Sequence, residues 1–224
     1  MPERRNVLLA LGWYHHQLHR GVAKYASTHG WHLMAGVAYD SAVPWGWRGD
    51  GIVTLFYRGD DLPRFVKASG VPAVNLGLAD AGVGAPRVVP DNRAIARMAA
   101  EYLLSRGFRQ FACVGWLGRS DFMGRERTEA FAEAVGESGC RCERLSWSRE
   151  GGRQQDVWAA RRDWMVRRLG DLPHPLAVLA MRDDLAAEVV EACVDAGLRV
   201  PEEIAVRSEE HSSELQSLYT ISYA

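Results

Sequence analysis

Residues 177–206 read AVLAMRDDLAAEVVEACVDAGLRVPEEIAV, and no other stretch limits the possible folds of this chain so tightly. Ala177 to Met181 is a short apolar run that predicts a buried strand. Asp183 and Asp184 stand where a helix would begin, and Ala186, Ala187, Val190, Val194 and Leu198 then recur at helical spacing. Gly197 supplies the stop and Pro201 blocks continuation. Ile204 to Val206 opens a second strand, so the segment is a β-α-β pattern. From Arg207 onward the chain reads RSEEHSSELQSLYTISYA, which has no apolar strand core, and the unit is expected to remain unfinished.

The same alternation runs along almost the whole chain and predicts an α/β fold on parallel sheet. Val7 to Gly12 reads as a strand covered on both faces. Leu18, Val22, Tyr25 and Ala26 form a helix face closed by Gly30. Strands are expected at Trp31 to Val37, Gly51 to Phe56 and Val71 to Leu76, with a short helix from Leu62 to Ser69 and a brief edge strand at Val88–Val89. Asp91 or Asn92 caps a helix that runs to Arg106, with Gly107 as its stop. A second series follows: strand Phe111 to Gly115, helix Arg125 to Ser138, strand Arg141 to Ser146 and helix Val157 to Leu169. Composition marks no linker between the two series.

In an open parallel sheet, ligands gather beyond the carboxyl ends of the strands, where loops and helix N-termini converge. That rule selects Trp13 to His16, Trp116 to Ser120, and Arg182 to Asp184. No glycine-rich phosphate turn, P-loop or nucleophile elbow occurs, so neither a nucleotide site nor a catalytic residue is assigned, and no cofactor is expected. His15, His16 and His19 lack a nearby carboxylate or cysteine to complete a metal site, and no C-x-x-C pair exists, so no metal ligand is assigned. The four cysteines read as unpaired thiols in a reducing compartment.

A formal net charge of -1 excludes a broadly basic, nucleic-acid-coating surface. The Arg- and Trp-bearing helix 157–168, with Trp158, Arg161, Arg162, Trp164, Arg167 and Arg168 on its surface, reads as a solvated amphipathic face. No stretch approaches the roughly 20 apolar residues needed to span a bilayer, so no membrane partner is expected. The apolar run after Arg4 and Arg5 is shorter than the about 7–15 residues of a signal-peptide core. A cytoplasmic location is expected.

Three ordered motifs carry a family likeness. VVPDNRAIARMAAEYLLSRGFRQFACV (88–114), RERTEAF (125–131) and the opening 177–206 segment follow one another as they do in LacI-type transcription regulators. The chain resembles the effector domain of that group, and most closely the xylose operon regulators, judged by NVLLALGWYHHQLHRGVAKYASTHGWHL and WGWRGDGIV. The resemblance implies two doubly wound parallel-sheet lobes of the type I periplasmic-binding-protein-like kind, truncated at the C-terminus, flanking an effector cleft. The lobes are expected at residues 1–107 and 108–206, both incomplete. It implies a small sugar effector, a pentose such as xylose, and no enzymatic activity. DNA would be contacted only through an AraC-type module that follows the effector domain and is missing here, in a protein that is homodimeric when intact.

The resemblance also sharpens the site. Trp13, Tyr14, His15 and Trp116 are candidate effector contacts, the aromatic rings suiting the C–H faces of a sugar; a core or interface role for the rings is the other reading. Arg127 matches an arginine that grips effector hydroxyls, against a solvated helix-end charge. Asp91 borders the cleft or simply caps its helix. Arg182 replaces the usual effector-binding Asn and cannot accept a hydrogen bond, so the usual contact is lost or rebuilt. Asp183 keeps the family residue and could pair with it.

Residues 207–224 are expected to be an artefactual tail. The start of a widely used sequencing-library adapter translates in one frame to Arg-Ser-Glu-Glu-His, as in residues 207–211, and its continuation differs at one position from residues 212–217. Two other classes share the α/β pattern. A sugar-binding protein of a transport system would need an export signal, and an α/β enzyme would be supported by a glycine-rich turn after the first strand, where the chain has LGWYHHQLHRG.

Overall fold

The computed structural model describes residues 4–37, 43–57, 61–77, 82–115, 122–147 and 157–208. They fall into two compact units, Met1–Pro90 and Asp91–Ala224.

The first unit contains β1 (Asn6–Leu11), α1 (His16–Thr28), β2 (His32–Met34), β3 (Gly51–Leu55), α2 (Leu62–Ser69) and β4 (Ala73–Asn75). Its sheet is parallel throughout, in the order β2-β1-β3-β4. The central strand is apolar and buried from Val7 to Leu11 because it is covered twice. Leu8 and Ala10 face Ile52, Leu62, Phe65 and Val66. Leu9 and Leu11, on the opposite face by the two-residue period of a strand, meet Leu55, Leu18, Val22 and Leu33. Gly70 ends α2 at φ 67, a left-handed conformation that glycine adopts without a Cβ penalty.

The outer strands are shorter than their sequences suggest. Trp31 to Val37 yields only His32–Met34, and Val71 to Leu76 only Ala73–Asn75. No strand forms at Val88–Val89: pairing there is one bridge, Asn75 to Arg87, and Val88 is exposed. Pro86 and Pro90 flank the segment and have no N–H to extend a ladder.

The second unit contains α3 (Asn92–Ser105), β5 (Gln110–Val114), α4 (Phe122–Glu137), β6 (Arg141–Leu145), α5 (Val157–Gly170), β7 (Leu176–Ala180), α6 (Asp183–Asp195) and β8 (Ile204–Arg207). Its parallel sheet has the order β6-β5-β7-β8. β7 is buried at all five positions. Leu176, Val178 and Ala180 pack with Trp164, Met165, Leu169, Leu185 and Val189, whereas Ala177 and Leu179 pack with α3 and α4.

Three expectations are corrected here. The β7-α6-β8 unit is complete: β8 pairs with β7 from Leu176–Ile204 to Leu179–Arg207. A backbone ladder does not require an apolar side chain at its last rung, and buried Ile204 anchors the strand. The units divide at Pro90–Asp91, not at 107–108. Ala96, Ala99, Ala100 and Leu103 of α3 bury against Ala130, Phe131, Ala134 and Val135 of α4, so the helix belongs to the second sheet. Lastly, Trp164 points inward, edge-on to Trp147 at 5.8 Å, rather than sharing the helix surface. The basic face of α5 is also committed, with Arg161 on Glu188 (2.7 Å) and Arg162 on Glu191 (2.7 Å) and Asp195 (2.5 Å) of α6. That pairing accounts for Arg161 and Arg162 within the fold.

All four cysteines are free thiols, Cys113 and Cys193 buried. Burial pushes the Cys193 thiol up to about 11, which keeps it protonated and unreactive at neutral pH. Among the described residues, no helix is long and apolar enough to cross a membrane.

Candidate functional site

In each unit the chain leaves a central strand to build the neighbour on one side, then returns to build on the other. β1 is flanked by β2 and β3, and β5 by β6 and β7. The carboxyl ends of β1 and β3, and of β5 and β7, are therefore the topological switch points, where loops diverge and leave a crevice. Matching backbone bonds hold both ends together: Gly12 N–H donates to Leu55 O at 2.8 Å, and Met181 N–H to Val114 O at 3.1 Å.

At the first switch point the chain turns from β1 into α1 through Trp13, Tyr14 and His15. Trp13 (47%) and Tyr14 (39%) are exposed. His15 is the N-cap of α1, its Nδ1 accepting from Leu18 N–H at 3.4 Å, and its ring stands edge-on to Trp13 with centroids 5.2 Å apart. The Tyr14 hydroxyl lies 3.3 Å from His19 Nδ1. The rings thus stand as two pairs, Trp13 with His15 and Tyr14 with His19, and His15 also serves as a structural cap. Tyr57, just past β3, brings a further exposed ring to the same sheet end. The strand-end rule applied to β3 would have selected it. Among the described residues, no three His, Cys, Asp or Glu side chains gather as a metal site.

The second switch point is polar. Arg127 is buried, so it is not a solvated helix-end charge. Its Nη1 donates to Met181 O at 3.2 Å and its Nη2 to Asn92 Oδ1 at 2.7 Å. Asn92 is itself buried and donates to Glu126 Oε2 at 2.9 Å. A chain of hydrogen bonds therefore runs from α4 through the start of α3 to the carboxyl end of β7. Asn92 had been legible only as a possible cap; its burial and its bond to Arg127 emerge from the packing of α3 on α4. The capping role falls to Asp91, whose Oδ1 accepts from Ala94 N–H at 2.9 Å.

Arg182 does not pair with Asp183. Its Nε donates to Asp184 Oδ1 at 2.9 Å and its terminal nitrogen to Oδ2 of the same residue. Asp183 instead accepts from the Ser208 hydroxyl beyond β8. The register of the helix start explains the exchange: Arg182 is the extended N-cap residue, and Asp184 lies within reach of its fork. Trp116 lies outside the described residues.

The Arg182 hydrogen bond holds the Asp184 carboxyl below the usual aspartate range. The sign follows from linkage. A depressed folded-state value makes the contribution present above the ordinary aspartate pKa and lost as pH falls through the lowered one. Asp184 should therefore titrate at lower pH than a free aspartate, and Arg182→Asn should move its midpoint up. Carbonyl chemical shifts followed through the acid range check both directions.

The family model of the periplasmic binding protein-like domain matches residues 100–222, more than half of the chain. The HTH-type transcriptional regulator GntR of Pseudomonas aeruginosa is 32% identical over 155 residues, 69% of this chain and 44% of that protein. Two solved structures share the fold. The xylose-binding transcription activator XylR superposes with a TM-score of 0.74 at 22% identity, over 92% of this chain and 54% of that one. The transcriptional regulator CelR in complex with cellobiose gives 0.64 at 24% identity, over 92% and 68%. The chain thus spans about half the length of GntR and of XylR. The parallel α/β architecture agrees with the family match over residues 100–222: the chain belongs to the periplasmic binding protein-like domain family.

Proposed function

We propose that this chain is the effector-binding part of a sugar-responsive transcription regulator, and that it binds without turnover. The observation that carries the reading is the chemistry at the two switch points. Exposed rings end the first sheet, where the apolar face of a sugar can stack, and a buried guanidinium network braces the end of the second. The relative at 32% identity is a transcription regulator, which supports the regulatory side. Trp13, Tyr14, Arg127 and Arg182 are the proposed contact or bracing groups, with His15, Asp91 and Asp183 holding the loops that present them. Trp116 joins them by motif alone.

The finer reading is a pentose-sized effector of the xylose type, in a cytoplasmic homodimer that reaches DNA through an AraC-type module encoded downstream. Effector binding would then act by its different affinity for two conformations. The cellobiose complex of CelR makes a disaccharide the comparison arm. Titrating xylose, other pentoses, hexoses and cellobiose into the full chain by calorimetry tests the proposal. Saturable, reversible uptake of one sugar with no product is expected; no uptake, or conversion of the sugar, would overturn it. Sequencing the locus beyond the codon for Val206 decides the tail. A native frame through Ser217 removes the adapter reading, and a following helix-turn-helix supports the proposed module.

A further inference from the structure

Arg182 is the first residue past Met181 at the carboxyl end of β7, beside the switch point between β5 and β7. Its side chain is half exposed, and it presents Nε and a terminal nitrogen together to the two oxygens of Asp184. That side-on fork is the geometry a guanidinium offers to any carboxylate. Asp184 is the carboxylate that fills the fork.

A neutral sugar can offer the fork only uncharged hydroxyl acceptors. Arginine cannot accept a hydrogen bond from a sugar hydroxyl, and a hydroxyl that accepts from it gives a weaker bond than a carboxylate. To bind Arg182, a neutral sugar must replace a charge-assisted pair of bonds with neutral ones. A ligand carboxylate replaces Asp184 like for like. The pair is exposed on both sides, where ion pairs contribute little to stability, so the exchange meets small resistance.

We infer that Arg182 selects a carboxylate-bearing sugar, an aldonate or uronate, by exchanging Asp184 for the carboxylate of the effector. The inference rests on the sugar-binding function proposed above and narrows its ligand class. The buried Arg127 supports the geometry. By holding the carbonyl of Met181, it fixes the backbone from which Arg182 projects.

The test is calorimetry on the full chain with xylose, xylonate, glucose, gluconate and glucuronate at one ionic strength. Each acid is expected to bind at least about tenfold more tightly than its neutral counterpart, the scale of one charge-assisted hydrogen bond. Arg182→Asn should abolish that preference. Asp184→Asn should strengthen acid binding several-fold by removing the internal competitor, a result that a merely structural ion pair would not give. Equal or tighter binding of the neutral sugar, or no gain with Asp184→Asn, overturns the inference while leaving the sugar-binding function standing. Binding of neither class overturns both.

Discussion

Replacing Arg127 with methionine is expected to destabilise the second unit by about 2–5 kcal/mol, a range set by leaving buried hydrogen-bond partners unpaired. The side chain is buried and serves two acceptors at once, Met181 O and Asn92 Oδ1. Methionine fills much of the volume but offers neither bond, so a carbonyl at the end of β7 and an amide oxygen at the start of α3 both lose their donor. Lysine keeps the charge without the planar fork and should fall between the two. Urea denaturation reads the effect directly. A change within about 0.5 kcal/mol, the range of ordinary surface substitutions, would mean that this network does not brace the strand end.

The second large effect lies in the core. Phe131 is fully buried on α4 and meets Phe111 of β5 edge-on at 6.2 Å between centroids. Phe131→Ala is expected to cost about 3–5 kcal/mol, from lost burial plus the cavity that packed neighbours cannot fill. Ala96, Ala99, Ala100 and Ala134 surround the same cluster and have no flexible length with which to collapse inward. Phe131→Leu keeps most of the volume and should cost less than half as much. The lowered urea midpoint should come with an unchanged m-value; a changed m-value would indicate an altered compactness instead.

The central strands were readable because both of their faces are buried. Val7–Leu11 of β1, Phe111–Val114 of β5 and all of β7 appear in sequence as unbroken apolar runs, and the helices after them carry their own stops. Edge strands bury one face at most, so β2, β4 and the Val88–Val89 segment lacked a pattern that would fix their length. The division at Pro90 was hidden for a different reason. The small apolar residues of α3 would suit either unit, and only packing against α4 assigns them. At the candidate site, the strand-end rule selected Trp13, Tyr14 and Arg182 but not Tyr57. Likeness to a family singled out Arg127 without disclosing that Asn92 and the Met181 carbonyl are its partners. The choice of Asp184 over Asp183 depends on where the α6 cap falls, a one-residue matter that spacing does not resolve.

The proposed function rests on effector contact at the carboxyl ends of the strands that flank the switch point of each sheet. Hydrogen–deuterium exchange on the full chain, with and without a saturating sugar or sugar acid identified by calorimetry, addresses that location directly. Amides at residues 12–16 and 181–185 should slow, while the outer faces of α5 and α6 stay unchanged. Protection confined to those outer faces, or a ligand that binds while leaving both strand ends unprotected, would contradict it.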